Sequence, residues 1–423
     1  LGLDVSLELP FHRPAPPPNQ GEDLVRPTAM LGCSIAAVLL LANTPISAQE
    51  RARHHFGSPS EALEEWALGE PLIAVGQAVD SVFFGEIGDG AFMPNGGFVV
   101  TDLQSREVMI FSDDGELRLR TGGEGDGPGE YLKPASVEMG PRDSILVFDQ
   151  NSQRLTVLMP DGEVARSDRL VGAFAMTGAV GRFSNGRWFA RSRNTNSGAG
   201  AGQITRDTVA FMSLSPSLEW GEAIARVPGA YTSATNVGRQ RGYRTSPFTP
   251  DPQHDTRGEC LYVTPSDVAR IEIFDSRGKP VTVLTGSQVP KVATDDDLEV
   301  WMQFYLDNLI PEGQHQLFRD VIGELPYPPH VPLYSDLRVD DSGLIWLQLY
   351  ELPFGLSDEW SVLGHSATVV ARVSAEEPLR ILDISGDRVL ARRVVEFGIE
   401  EVVVLPLERP AGSEATADFC SGP

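Results

Sequence analysis

Two stretches of this chain 47 residues apart repeat one another in register, and that repetition constrains the fold more than any other feature. Gly97-Phe98-Val99-Val100-Thr101-Asp102 leads into Val108-Met109-Ile110-Phe111 and then Asp113-Asp114-Gly115-Glu116. Ser144-Ile145-Leu146-Val147-Phe148-Asp149 leads into Leu155-Thr156-Val157-Leu158 and then Pro160-Asp161-Gly162-Glu163. Each unit strings together short β-branched or aromatic runs, and an Asp-Gly between two such runs marks a tight hairpin because the turn requires positive φ. Self-similarity at a period of about 40–50 residues is the signature of an array in which no unit buries its apolar surface alone.

The later units are weaker but fall in step. Arg187-Trp188-Phe189-Ala190 with Thr208 to Met212 forms a third, and Cys260 to Thr264 with Arg270 to Gly278 a fourth. Leu337 to Leu347 opens a fifth, and Leu379 to Ile384, Arg388 to Ala391 and Glu401 to Leu405 form a sixth. This spacing suits one four-stranded blade per unit, so the expected architecture is an all-β, six-bladed β-propeller over residues 70–409. The sixth unit shows three strands, and Leu72-Ile73-Ala74-Val75 is an unused strand near the N-terminus. That strand is expected to complete the last blade and leave no open edge.

One segment breaks the pattern. Thr294 precedes Asp295-Asp296-Asp297, and Leu298, Trp301, Tyr305 and Leu309 then recur at helical spacing, with Val300 and Phe304 beside them, before Pro311. An N-cap, acids in the first turn and a terminating proline predict a helix. A second, over Glu312 to Ile322, makes a helical insertion of about 291–325 between blades 4 and 5. Its Trp301, Phe304 and Tyr305 are expected to pack on the propeller.

Upstream, residues 1–29 are proline-rich (Pro14, Pro16, Pro17, Pro18) and read as disordered or as an over-extended reading frame. Met30 to Ala42 is an apolar run followed by Pro45 and Ser47-Ala48, the pattern of a secretory signal over 30–48 and too short for a membrane span. Cys33 precedes the apolar run instead of following it, which disfavours lipidation. Residues 49–69 read as a linker and 410–423 as a tail. Export implies a secreted or periplasmic protein, in which Cys260 and Cys420 are free to pair.

The formal net charge is −25, with Lys133, Lys279 and Lys291 as the lysines and Arg carrying the rest of the positive charge. Such a balance disfavours nucleic acid, whose phosphates require a basic surface.

Gly122-Gly123-Glu124-Gly125-Asp126-Gly127-Pro128-Gly129-Glu130-Tyr131, the helical insertion, Leu325-Pro326-Tyr327-Pro328 through Gly343-Leu344-Ile345-Trp346, and Gly386 to Leu390 with Gly398 to Val402 resemble the bacterial six-bladed β-propellers related to NHL-repeat and TolB-like proteins. The resemblance implies a fold and an export route, and no reaction.

Candidate chemistry is sparse. The Gly122–Gly129 run lacks the frame and the Lys of a phosphate loop and carries acids that repel phosphate, so it reads as a blade connection. It also lacks calcium-loop spacing. His254, His315, His330 and His365 are scattered, without metal-ligand spacing, and no nucleophile elbow occurs. Asp102 with Arg106, Asp149 with Arg154 and, more loosely, Asp267 with Arg270 recur at strand ends. They read as turn braces, or else Arg106, Arg154 and Arg270 ring one mouth and attract an anionic ligand.

The expectation is a non-catalytic binding or scaffold protein without cofactor, a monomer whose partner is a peptide, glycan or protein. The alternative is a propeller enzyme of lyase or lactone-hydrolase type with a divalent metal at the central channel. Cleavage is predicted after Ala48: N-terminal sequencing of the exported chain should begin at Gln49, and retention of residues 30–48 would refute it.

Overall fold

The computed structural model describes residues 52–56, 59–76, 82–170, 176–194, 203–237, 240–323, 325–353, 357–364, 367–395, 398–410 and 419–420. The expected signal segment, Cys33 and His365 lie outside them.

Three strands come first, β1 (Ala52–Phe56), β2 (Pro59–Leu68) and β3 (Ile73–Val75). Blade one is β4 (Ile87–Phe92), β5 (Phe98–Asp102), β6 (Glu107–Phe111) and β7 (Leu117–Gly122). Blade two is β8 (Pro134–Met139), β9 (Ile145–Asp149), β10 (Arg154–Leu158) and β11 (Val164–Arg169). Blade three is β12 (Met176–Arg182), β13 (Trp188–Asn194), β14 (Ile204–Leu214) and β15 (Trp220–Val237), with β16 (Gln240–Thr245) added outside. Blade four is β17 (Gln253–Arg257), β18 (Cys260–Thr264), β19 (Arg270–Asp275) and β20 (Pro280–Gly286). After α1 (Asp295–Asn308) and α2 (His315–Gly323) comes blade five, β21 (Tyr334–Val339), β22 (Ile345–Leu349), β23 (Glu359–Leu363) and β24 (Val369–Ser374). Blade six has β25 (Arg380–Ser385), β26 (Arg388–Val394) and β27 (Glu400–Glu408).

Within each blade the strands pair antiparallel in chain order. The Asp-Gly hairpins put Gly115 at φ 85° and Gly162 at φ 84°, where a side chain would be strained. The second strands of blades one and two, Phe98–Asp102 and Ile145–Asp149, are wholly buried and apolar up to their closing polar residues.

The core is distributed between blades. One cluster joins Ala91, Val99 and Ile110 of blade one to Tyr131, Val147 and Leu158 of blade two. Equivalent clusters lie at the other five junctions, including Leu382, Leu390 and Val404 of blade six against Phe92, Phe98 and Met109 of blade one. The ring is therefore closed by the same apolar packing that builds it.

Closure uses the N-terminus. β3 adds antiparallel to β27, pairing Ile73 with Val404 and Val75 with Val402. Where a linker was expected over 49–69, the structure has two edge strands: β1 runs parallel to β20 and β2 parallel to β24. Trp66 and Leu68 bury into the junction of blades five and six. Residues 52–68 lack a run of β-branched side chains, so these strands owe their form to the edges they cover rather than to propensity.

The helical pair follows the expected signals. Thr294 caps α1, its hydroxyl accepting from the Asp297 N–H while the Asp297 carboxylate accepts from the Thr294 N–H. Its aromatic residues pack mainly within the insertion: Trp301 and Tyr305 lie on Phe318, and only Phe248 and Tyr327 extend the cluster. The expected packing on the propeller is thus confined, for Trp301, to the edge contact with Phe248, because α2 supplies the apolar face that α1 needs.

Cys260 and Cys420 form a disulfide with Cα atoms 5.5 Å apart, which ties the C-terminal segment to blade four.

A chain beginning at Ser81 lacks β1 to β3 and exposes Trp66's pocket and the outer edge of blade six. Three apolar side chains at about 1.5–3 kcal/mol each are lost. At about 2 °C per kcal/mol this lowers the melting temperature by roughly 10 °C. Melting within a degree or two of the mature chain would show that closure contributes nothing.

Candidate functional site

The first strand of every blade, β4, β8, β12, β17, β21 and β25, faces the ring axis, and between them lies a cavity of about 660 Å³. It opens toward the hairpins that link first and second strands, where Met93, Pro94, Ser184, Gly258, Asp341 and Ser385 line it.

Its wall is charged. Asp89, Glu138, Asp255 and Asp383 enter from four different blades, and each spans to the next blade by accepting a backbone N–H: Val137 at 3.0 Å, Arg182 at 3.1 Å, Val339 at 2.7 Å and Phe92 at 2.8 Å. Blade five uses a cation for the same purpose, Arg338 donating to the Leu382 carbonyl at 3.1 Å and to Asp336 at 3.1 Å. Blade three contributes Gly178 and Ala179 from β12, and Arg191 of β13, beside Gly178, reaches Asp251 ahead of blade four at 2.6 Å. Charged side chains thus brace all six blade junctions along the channel.

Burial disfavours the charged forms of these acids. It pushes Asp255 up to about 7 against the opposing pull of Arg338, and it raises Asp89 and Asp383. Burial would lower Arg338, but Asp336, Asp89 and Asp255 around it raise it overall. Burial, then Arg191 and Arg338, drives His254 down to about 3, so its imidazole is neutral. His254 packs against Phe211 and Phe189, with centroids 4.9 Å and 6.2 Å away. Glu138 is pushed up to about 8 by burial and by the charges of Asp255 and Asp89.

The residues singled out from sequence lie elsewhere. Arg106 and Arg154 stand at the turns between second and third strands and do not line the cavity. Arg106 pairs with Glu124 at 2.5 Å, and Arg154 donates to the Asp126 carbonyl at 2.9 Å, so both hold the Gly-rich connection from blade one to blade two. Arg270 pairs with Glu272 on its own strand at 3.0 Å, and Asp267 pairs with Arg206 at 2.8 Å. The three arginines are not brought together.

The expected equivalence of Arg106 and Arg154 also needs correction: the residue matching Arg106 (φ 59°) is Gln153 (φ 52°). The bracing itself belongs to the aspartates. Asp102 accepts from the N–H groups of Gly85, Glu86, Gln104 and Ser105, and Asp149 from those of Leu132, Lys133, Asn151 and Ser152. An acid with four backbone donors needs no guanidinium partner.

The channel acids were not recognisable as a set in the sequence. Their one signal is a charged residue within each of the first strands IGDGAF, PASVEM, QHDTR, YSDLRV and RILDIS. Among the described residues, no group of three or more His, Cys, Asp or Glu is arranged to hold a metal ion.

A family model described as a 6-bladed β-propeller matches residues 77–158. The chain is a six-bladed β-propeller. Among solved structures, an exported protein of Bacteroides fragilis aligns at 12% identity and TM-score 0.48, covering 85% of this chain and 100% of that one. Virginiamycin B lyase of Staphylococcus aureus aligns at 8% identity and TM-score 0.42, with coverages of 82% and 100%. A gluconolactonase of Xanthomonas campestris aligns at 12% identity and TM-score 0.37, with coverages of 76% and 88%. No curated protein matches the sequence.

The raised carboxylates make stability depend on pH. Unfolded, these groups titrate near pH 4; folded, Asp255 does so at about 7 and Glu138 at about 8. Their protonated forms favour the folded state, so this contribution is complete below about pH 4 and is lost as pH rises through about 7 and 8. The melting temperature of the propeller should fall by several degrees between pH 6 and pH 9. Glu138→Gln should flatten the upper part of that fall, and identical profiles for both proteins would refute the assignment.

Proposed function

We propose that this propeller is an exported, non-catalytic binding protein that holds its ligand, a small molecule or the projecting end of a peptide or glycan, in the central channel. The observation that carries the reading is that two of the channel's carboxylates and one of its arginines are committed as struts. Asp255 and Asp383 each have both oxygens occupied by backbone N–H groups, and Arg338 is held by Asp336 and the Leu382 carbonyl. Groups fixed in this way shape a polar cavity and are poorly placed to exchange protons with a reacting substrate. The cavity volume falls within the range of small-molecule sites, about 300–1,000 Å³. Export is supported by the apolar run and small residues of 30–48 and by the link between Cys260 and Cys420.

A thermal-shift screen of sugars, amino acids, amines and organic acids against the mature chain tests the reading. A ligand at 100 times its Kd stabilises by about 2.7 kcal/mol, a shift of several degrees. At least one compound should stabilise the native chain and fail to stabilise Ala179→Trp, which fills the channel beside β12. Compounds that act equally on both proteins, or turnover of a lactone or ester that Glu138→Gln abolishes, would overturn it.

A further inference from the structure

Glu138 differs from the other acids of the channel. Arg338 offsets Asp89, Asp255 and Asp383, whereas at Glu138 the neighbouring charges that register are Asp255 and Asp89, both negative. The guanidinium of Arg182, whose backbone N–H Glu138 accepts, lies over the Trp188 ring, 5.5 Å from its centroid. Arg191 is engaged by Asp251 and the Pro252 carbonyl.

One oxygen of Glu138 accepts the Arg182 N–H, while Oε1 has no hydrogen-bond donor among the described residues. Oε1 lies 2.6 Å from where a Cβ on residue 181 would stand, next to the Phe189 ring at 2.4 Å, so glycine there gives both side chains room. Asp89 comes close, since its Oδ2 accepts from Val137, the residue next to Glu138, and its charge registers at Glu138; its carboxylate also accepts the Gly90 N–H. Deeper in the wall, the neutral His254 has ring contacts but no hydrogen-bond partner among the described residues. A half-buried carboxyl group that lines the cavity with no cation beside it and one oxygen without a protein donor offers a place that a cationic ligand would fill.

We infer that Glu138 and Asp89 form an ammonium subsite in the channel, which takes the primary-amine end of a small organic cation where β12 lines the cavity with Gly178 and Ala179. An ammonium group carries three donors and is satisfied by a few converging oxygens. A bare divalent cation asks for six or more oxygen ligands, which this wall does not assemble. The inference rests on the channel being the binding site and specifies the chemistry that site recognises.

Binding of an amine holds Glu138 ionised and so expels its proton. The charged and titratable groups that line the cavity with it are Asp89 of β4, Arg182 of β12, Arg191 of β13, Asp251 ahead of β17, His254, Asp255 and Arg257 of β17, Asp336 and Arg338 of β21, Asp341 of the turn after it, and Arg380 and Asp383 of β25. Below pH 9 an alkyl ammonium remains charged. Amine affinity should therefore rise from pH 6 to pH 9 as Glu138 gives up its proton.

The test is calorimetric titration of the mature chain with putrescine, with MgCl2 and CaCl2 run in parallel, on the native protein, Glu138→Gln and Asp89→Asn. Gln at 138 keeps an acceptor for the Arg182 N–H, and melting curves recorded alongside verify that each variant is folded. Putrescine should bind the native protein, lose about tenfold or more in affinity with Glu138→Gln, and lose its pH dependence in that variant. Equal affinity in both proteins, or binding of Mg2+ or Ca2+ in place of the amine, would overturn the subsite. If putrescine fails while another compound stabilises the native chain and not Ala179→Trp, the ammonium subsite falls and the channel reading stands; if no compound does so, both fall.

Discussion

Every blade of this propeller depends on its two neighbours for burial. A four-stranded antiparallel sheet of this size has two apolar faces and no interior of its own, so its side chains leave water only when another blade lies against each face. The six interblade clusters are that requirement made visible. Val99 and Ile110 of blade one meet Val147 and Leu158 of blade two, and Phe98 meets Leu382 and Leu390 on the other side. An array with two open ends would leave two such faces wet. Closing the ring removes both, and the N-terminal segment then runs along the outer edges of blades four, five and six, where β1, β2 and β3 pair in turn.

Closing six blades around an axis also creates the channel, and with it an electrostatic problem. The first strands face one another across that cavity, and four of them hold a carboxylate there that reaches the next blade. Much of the cost is offset by handing each carboxylate a backbone N–H of the next blade, so that a buried charge and an otherwise idle donor satisfy one another. Arg338 supplies the countercharge for three of the four. The channel is thus both a seam that fixes how blades sit beside each other and the most polar concavity of the molecule.

The sequence carried the periodic part of this arrangement openly. Asp102 and Asp149 recur because each gathers four backbone donors at a strand end, and Gly115 and Gly162 recur because their hairpins demand positive φ. The Ile73–Val75 strand was legible for a similar reason, being β-branched and unpaired in a chain whose sixth unit lacked a strand. Residues 52–68 were not, because their strands form only against edges that exist once the blades have folded. Arg106 and Arg154 drew attention as a repeated pair, yet one lies four residues after its Asp and the other five, and the match breaks at Gln153. The channel acids were hidden for a geometric reason. They occur singly, about 50 to 130 residues apart, and become a set only when the ring places them across one axis.

The two faces of the ring then divide the work between them. Connections between blades lie on one face, and they carry what varies in length along the chain: the Gly-rich run pinned by Arg106 and Arg154, the loop bearing Phe248, and the helical pair with its own small core. The opposite face consists of short hairpins that frame the cavity mouth. Loops that accept insertions are tolerated where they do not disturb the seam. Blade three is the exception within the seam itself, since Gly178, Ala179 and Gly181 stand where its neighbours place charged side chains. Arg191 of the second strand spans that junction to Asp251 instead, while Glu138 keeps no cation of its own. A site that keeps a carboxyl group without a countercharge gives up some stability there, and recognition of a cationic ligand is the physical gain that such a sacrifice can bring.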